Sequence, residues 1–210
     1  MRNRLLPVLL VSALSVAVAG CLFDADINEK GGGTMKVEMR AAPNTTLDKM
    51  RKAFEGPGVT ITKATMDERQ NAVVELKFED LRQLGALKQF DSTKFALTED
   101  AKEKTRTASA TVKAGKPVTL PEDQIKYYGK DITVSVTLPG EIVKTDGKKK
   151  GKTVTWTVPL NTVLSGKETS FSATYKHSGE PLAAVPAAAA TTPSGAAPAK
   201  APAAATPATK

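Results

Sequence analysis

Side chains capable of bond-making chemistry are few in this chain, and their spacing argues against most reactions. His177 is the only histidine and Cys21 the only cysteine, so no His/Cys cage for a transition metal can be assembled. One histidine could still serve a Ser-His-Asp site, but neither Gly-x-Ser-x-Gly nor Ser-x-x-Lys occurs. Gly147-Lys148-Lys149-Lys150-Gly151-Lys152-Thr153 imitates a phosphate-binding loop with three residues between its glycines where four are needed. A strand pattern follows it, not the helix whose N-terminus must face phosphate. Asp24, Asp26 and Asn28 copy the first ligands of a calcium loop, yet Glu29 holds the glycine position and Met35 the bidentate carboxylate position. On a strand these three share one wet face. Glu122 and Asp123 lie side by side in a polar segment, where a solvated turn is expected. Asn44-Thr45-Thr46 matches a glycosylation sequon but reads better as a helix cap. The chain is predicted not to be an enzyme and to use no cofactor or metal.

Cys21 remains. Met1-Arg2-Asn3-Arg4 is basic, and Leu5 to Ala19 is apolar apart from Pro7 and two serines. Charge, an apolar run and small residues form the layout of an export signal, and the run is short for a bilayer span. It ends in Val18-Ala19-Gly20-Cys21, which resembles the lipobox of bacterial lipoprotein precursors. There the thiol is alkylated by diacylglycerol and the signal is cut before the cysteine. A lone cysteine has no disulfide partner, whereas a thioether is inert. Each buried CH₂ contributes about 0.8 kcal/mol, and two or more chains hold a protein on a membrane. Residues 1–20 are therefore predicted to be a signal peptide and Cys21 the lipidated N-terminus. Leu22 after the cysteine favours the outer membrane under Gram-negative sorting rules.

At the other end, residues 181–210 are mostly Ala, Pro and Thr, with no aromatic residue. Prolines forbid a continuous helix and the apolar bulk is too small to offset ordering entropy. A disordered tail is predicted, reaching on the order of 90 Å if polyproline-like, at about 3.1 Å per residue. It could solubilise passively or contact a cell wall or protein partner. The net charge of +8 falls to +6 without Arg2 and Arg4, and to +4 on the domain without Lys200 and Lys210. That bias is too small to argue for nucleic acid.

Residues 21–180 form the domain that must position anything functional, and period-two alternation dominates it. Phe23, Ala25 and Ile27 alternate with Asp24, Asp26 and Asn28. After Gly31-Gly32-Gly33, Met35, Val37 and Met39 alternate with charged residues. This predicts a hairpin starting almost at Cys21. Asn44-Thr45-Thr46 with Asp48 suggests a capped helix carrying Leu47, Met50 and Phe54, stopped by Gly56-Pro57-Gly58. Strands follow at 59–65 and 72–79, then a second helix capped by Asp80 and a short strand at Phe95–Leu97. The order resembles a split βαβ unit. Thr105–Val112, rich in small residues, predicts a lightly packed or edge strand, and Pro121–Gln124 one helical turn. Ile132–Leu138, Val154–Val158 and Phe171–Tyr175 read as strands. The prediction is an α+β domain, an antiparallel sheet with two short helices on one face.

The run from Val134 through Pro139-Gly140-Glu141-Ile142-Val143, Asp146-Gly147 and Gly151-Lys152-Thr153-Val154-Thr155-Trp156 resembles the LppM domain of bacterial envelope lipoproteins. With the Cys21-led hairpin, the likeness covers most of residues 21–176. It implies a membrane-anchored, extracytoplasmic, non-enzymatic protein, for which binding of a lipid or glycolipid has been suggested. Many members carry a C-terminal transmembrane helix, and here an Ala/Pro-rich stretch stands in its place. Read as chemistry, Pro139 fixes φ and Gly140 accepts positive φ, which suits a type II turn or a sharp bend. Trp156 is expected to complete a core, or else to line a ligand pocket or membrane interface. Lys148, Lys149, Lys150 and Lys152 form a solvated hairpin tip, or contact anionic lipid headgroups at about 1 kcal/mol each. The leading expectation is an amphiphile- or membrane-binding lipoprotein; the alternative is a scaffold acting through its tail.

Overall fold

The computed structural model describes residues 21–182. The predicted export signal, and the predicted tail beyond its first two residues, lie outside the described residues. The elements in order are β1 (Leu22–Ile27), β2 (Gly33–Arg40), α1 (Leu47–Ala53), β3 (Val59–Met66), β4 (Asn71–Phe78), two 3-10 segments (Leu81–Ala86 and Lys88–Phe90), β5 (Thr93–Asp100), β6 (Thr105–Val112), α2 (Glu122–Tyr128), β7 (Asp131–Thr137), β8 (Ile142–Thr145), β9 (Lys148–Lys150), β10 (Thr153–Pro159), α3 (Leu160–Leu164) and β11 (Thr169–Lys176). The class is α+β and mostly β.

Two sheets replace the single sheet expected. One has seven strands in the order β3-β4-β2-β1-β7-β10-β9, and the other four in the order β5-β6-β11-β8. The first is mixed, because β1 and β7 run parallel, Leu22 beside Thr133 and Asp26 beside Thr137. Its inward residues, Ala25, Ile27, Met35, Val37, Val74, Leu76, Val154 and Trp156, share one apolar cluster with Leu97, Ala108, Phe171, Ala173 and Tyr175 of the second sheet. The outer face is wet, and hydroxyl pairs bridge its strands: Ser135 to Thr155 and Thr137 to Thr153, both 2.9 Å.

The split βαβ expectation fails at β5, which pairs with β6 in the second sheet. The second helix is instead the pair of 3-10 segments. Asp80 caps the first, accepting from the Arg82 amide at 2.7 Å. In α1 the cap is Thr46, whose hydroxyl accepts from the Lys49 amide, so Asp48 lies in the first turn. β6 is an inner strand between β5 and β11, not an edge. Its small side chains Ala108 and Ala110 line the space between the sheets.

Pro139-Gly140 carries the chain from β7 in one sheet to β8 in the other. Gly140 is not in the left-handed region, so the type II turn reading is corrected. A Cβ there would stand 1.7 Å from the Lys176 carbonyl oxygen, and the glycine permits that backbone approach.

Candidate functional site

Between the sheets lies a partly open apolar cavity of about 120 Å³. The first sheet contributes Phe23, Ala25, Ile27, Met35, Ile132, Val134, Val136 and Trp156. Facing them are Phe95, Ala108, Ala110, Val112, Phe171 and Ala173, with Leu81, Phe90 and Val163 at the margins. No charged side chain lines it, and the polar ones are Gln89, Thr93, Ser109 and Ser135. The alternation explains the space. Ala25, Ala108, Ala110 and Ala173 point inward where larger residues would close the gap. Phe90 meets Phe23, Phe54 and Phe95 at ring-centroid distances of 6.0, 6.0 and 5.3 Å, walling one side with tilted and edge-on contacts.

The cavity has two unlike ends. Toward the pole where the chain enters at Cys21, Phe23, Val134, Val112 and Thr93 are partly exposed. Toward the opposite pole Ile27, Met35, Ala108 and Ala173 are buried, and beyond them Leu138, Ile142, Tyr175 and Arg106 are at most 2% exposed. Cys21 itself is buried, and its carbonyl accepts from the Thr133 amide at 2.9 Å.

Trp156 belongs to both core and cavity. Its indole N–H donates to Asp146 Oδ1 at 2.6 Å, and the same oxygen accepts from the Ser172 amide at 3.1 Å. The ring stands edge-on to Phe171 at 5.8 Å. Gly147 leaves room for it, since a Cβ there would fall 2.7 Å from the indole nitrogen. Asp146, Gly147 and Trp156 thus tie the two sheets together beside the cavity.

A family model for the LppM domain matches residues 31–177. The chain belongs to the LppM domain family. Comparison with curated proteins and with solved structures returns no match. The matched span holds Pro139, Gly140, Trp156, the lysines and most of the cavity lining, while Cys21 and Phe23 precede it. Among the described residues of this LppM domain chain, no helix is long and apolar enough to cross a membrane.

The remaining predicted residues are scattered. Lys148–Lys150 form β9, an exposed edge strand in a hairpin with β10, where lysines also discourage pairing with other chains. Lys150 lies level with Thr153, Thr137 and Asp26. That is four residues, or roughly 13 Å at about 3.3 Å per residue, from the level of Leu22. The Gly151-Lys152 turn therefore sits at the pole away from Cys21. Two of the lysines are engaged, Lys149 Nζ with the Ile142 carbonyl (2.6 Å) and Lys152 Nζ with that of Pro139 (2.5 Å).

His177 meets no serine. Its Nδ1 accepts from the Gly179 amide at 3.0 Å, and Nε2 lies 3.8 Å from Glu99 Oε1. Beside it is a residue that sequence reasoning passed over, Arg106, with a fully buried side chain. Its guanidinium donates to Glu99 Oε2 at 2.9 Å and to the carbonyls of Glu29 and Glu180. Arg106 thus fastens the segment after β11 to the β1–β2 turn. The signal was available, because alternation places Arg106 on the face of Ala108, Ala110 and Val112.

Proposed function

We propose that this LppM domain protein is a non-enzymatic lipoprotein of the cell envelope, held by lipid on Cys21, that receives the apolar part of an amphiphile between its sheets. The observation that carries the reading is the apolar, partly open cavity. An apolar cavity of ~150 Å³ stays dry and takes up benzene. At about 120 Å³, this one suits a ring or a short stretch of one alkyl chain, with the polar headgroup left outside. A two-chain lipid would leave most of its mass beyond the lining residues. The small inward residues support this size limit, and the want of charge in the lining fits an apolar guest.

The test is titration of a fluorescent fatty acid into the mature Cys21→Ser chain, with native mass spectrometry of the complex. Saturable one-to-one binding is expected, reduced at least tenfold by Ala110→Phe, which fills the space. Equal binding to the filled variant, or none to either protein, would remove the cavity from the account. Mass analysis of the lipidated mature chain should show Cys21 carrying acyl groups, and an unmodified thiol would refute the anchor.

A further inference from the structure

The predicted headgroup contacts, Lys148, Lys149, Lys150 and Lys152, lie at the pole away from Cys21, and the Cys21 pole has a basic surface of its own. β2 ends there at Arg40, since Leu22 pairs with Glu38 and the strand runs two residues further. α2 packs against that end, leaving a shallow groove bordered by Glu38, Arg40, Asn71, Lys126, Tyr127 and Tyr128. We propose that this groove binds the phosphate of an anionic lipid headgroup, and that its pole, not the lysine hairpin, faces the bilayer. The proposal rests on the anchored-lipoprotein reading for its orientation.

The geometry is that of a positioned cation. The Arg40 guanidinium stacks 4.1 Å above the Tyr127 ring, whose hydroxyl donates to the Ala41 carbonyl at 3.2 Å. Arg40 Nε donates to the Arg69 carbonyl (3.2 Å) and Nη1 to that of Tyr127 (3.5 Å). Nη2 makes no hydrogen bond among the described residues, so one arm of a fixed fork is open to an oxyanion. The one carboxylate in the groove, Glu38, is held by Lys36 at 2.5 Å. Lys126 pairs with Glu122 at 2.9 Å across one turn of an exposed helix, a weak contact that a phosphate can replace. Tyr128 stays a neutral phenol, because burial and the neighbouring Tyr127 push its pKa up. Paired tyrosines beside basic side chains match the amphipathic chemistry of a membrane–water boundary.

The experiment is vesicle flotation of the mature Cys21→Ser chain, which removes the anchor. It compares phosphatidylcholine vesicles with vesicles containing about one-third phosphatidylglycerol. Binding is expected on the anionic vesicles only, falling about fivefold in Arg40→Gln and again in Lys126→Gln, since each basic residue near such a surface contributes about that factor. Arg40→Lys, which keeps charge without the fork, should fall between, and Lys148→Gln/Lys150→Gln should bind like the parent. Losses confined to the β9 variant would overturn the proposal. Displacement by inorganic phosphate alone, without vesicle binding, would make the groove a free-phosphate site and overturn the headgroup assignment. Fatty-acid titration of the same variants separates the two readings. Unchanged cavity binding is expected, and its failure would count against the proposed function while leaving the groove result intact.

Discussion

Tyr175 is fully buried, and its hydroxyl lies near Arg106 without a hydrogen bond of normal geometry. Burial raises its pKa, against a smaller opposing pull from Arg106. The folded form therefore holds the proton more tightly than the unfolded chain does. Stability is unaffected below the unfolded value near 10 and declines as pH rises through the folded value. Tyr175→Phe removes an unsatisfied polar atom at nearly constant shape, so it is expected to change stability by less than about 1 kcal/mol at pH 7. It should also flatten the loss above pH 10, measured as urea midpoints from pH 8 to 11. Arg106→Met leaves Glu99 and two carbonyls without their donor. A loss on the order of 3 kcal/mol is expected, the low end for a broken buried pair, because Glu99 is 35% exposed. Limited proteolysis should then show residues 177–182 released first.

Alternation located most strands, because each buries one face and wets the other: β1, β2, β7, β10 and β11 fall within a residue or two of their predicted spans. Which sheet a strand joins was not legible, since β5 and β6 bury one face in either arrangement. The small side chains of β6 suggest a lightly packed or an edge strand, and only the edge alternative fails. They mark an inner strand beside a cavity, and a one-strand pattern cannot tell emptiness across the sheet from emptiness beside it. The second helix failed for a local reason. Gly85 and the short spacing of Leu81, Leu84 and Leu87 suit 3-10 turns as well as α turns. Pro139-Gly140 was correctly seen as a bend, but its reason is the carbonyl of Lys176, distant in sequence. Gly140→Ala is accordingly expected to cost at least about 3 kcal/mol, beyond ordinary overpacking, with the loss visible as a lowered thermal midpoint. Had positive φ been the cause, Gly140→Asn would rescue it. The steric account expects Asn to be no better than Ala.

Across the whole molecule the two poles differ. One has the chain entry at Cys21, the less buried end of the cavity and the Arg40–Tyr127 groove. The other has the Arg106 fastening, the lysine hairpin and the segment leading to residue 183. Of the candidate site, the family motif was legible in the sequence, and Trp156 is a core residue that also lines the cavity. The cavity and Arg40 were not legible, because they depend on which strands face one another. An apolar guest entering at the Cys21 pole would place its headgroup within reach of the bilayer. The direct measurement is of nuclear Overhauser contacts between an alkyl-chain ligand and the methyl-labelled mature Cys21→Ser protein. Contacts from the chain to Ala110, Val134 and Ala173 are expected, strongest toward Ala173 for the terminal methyl. Contacts confined to the outer-face threonines Thr133, Thr155 and Thr157, or none on any inward residue, would contradict binding between the sheets.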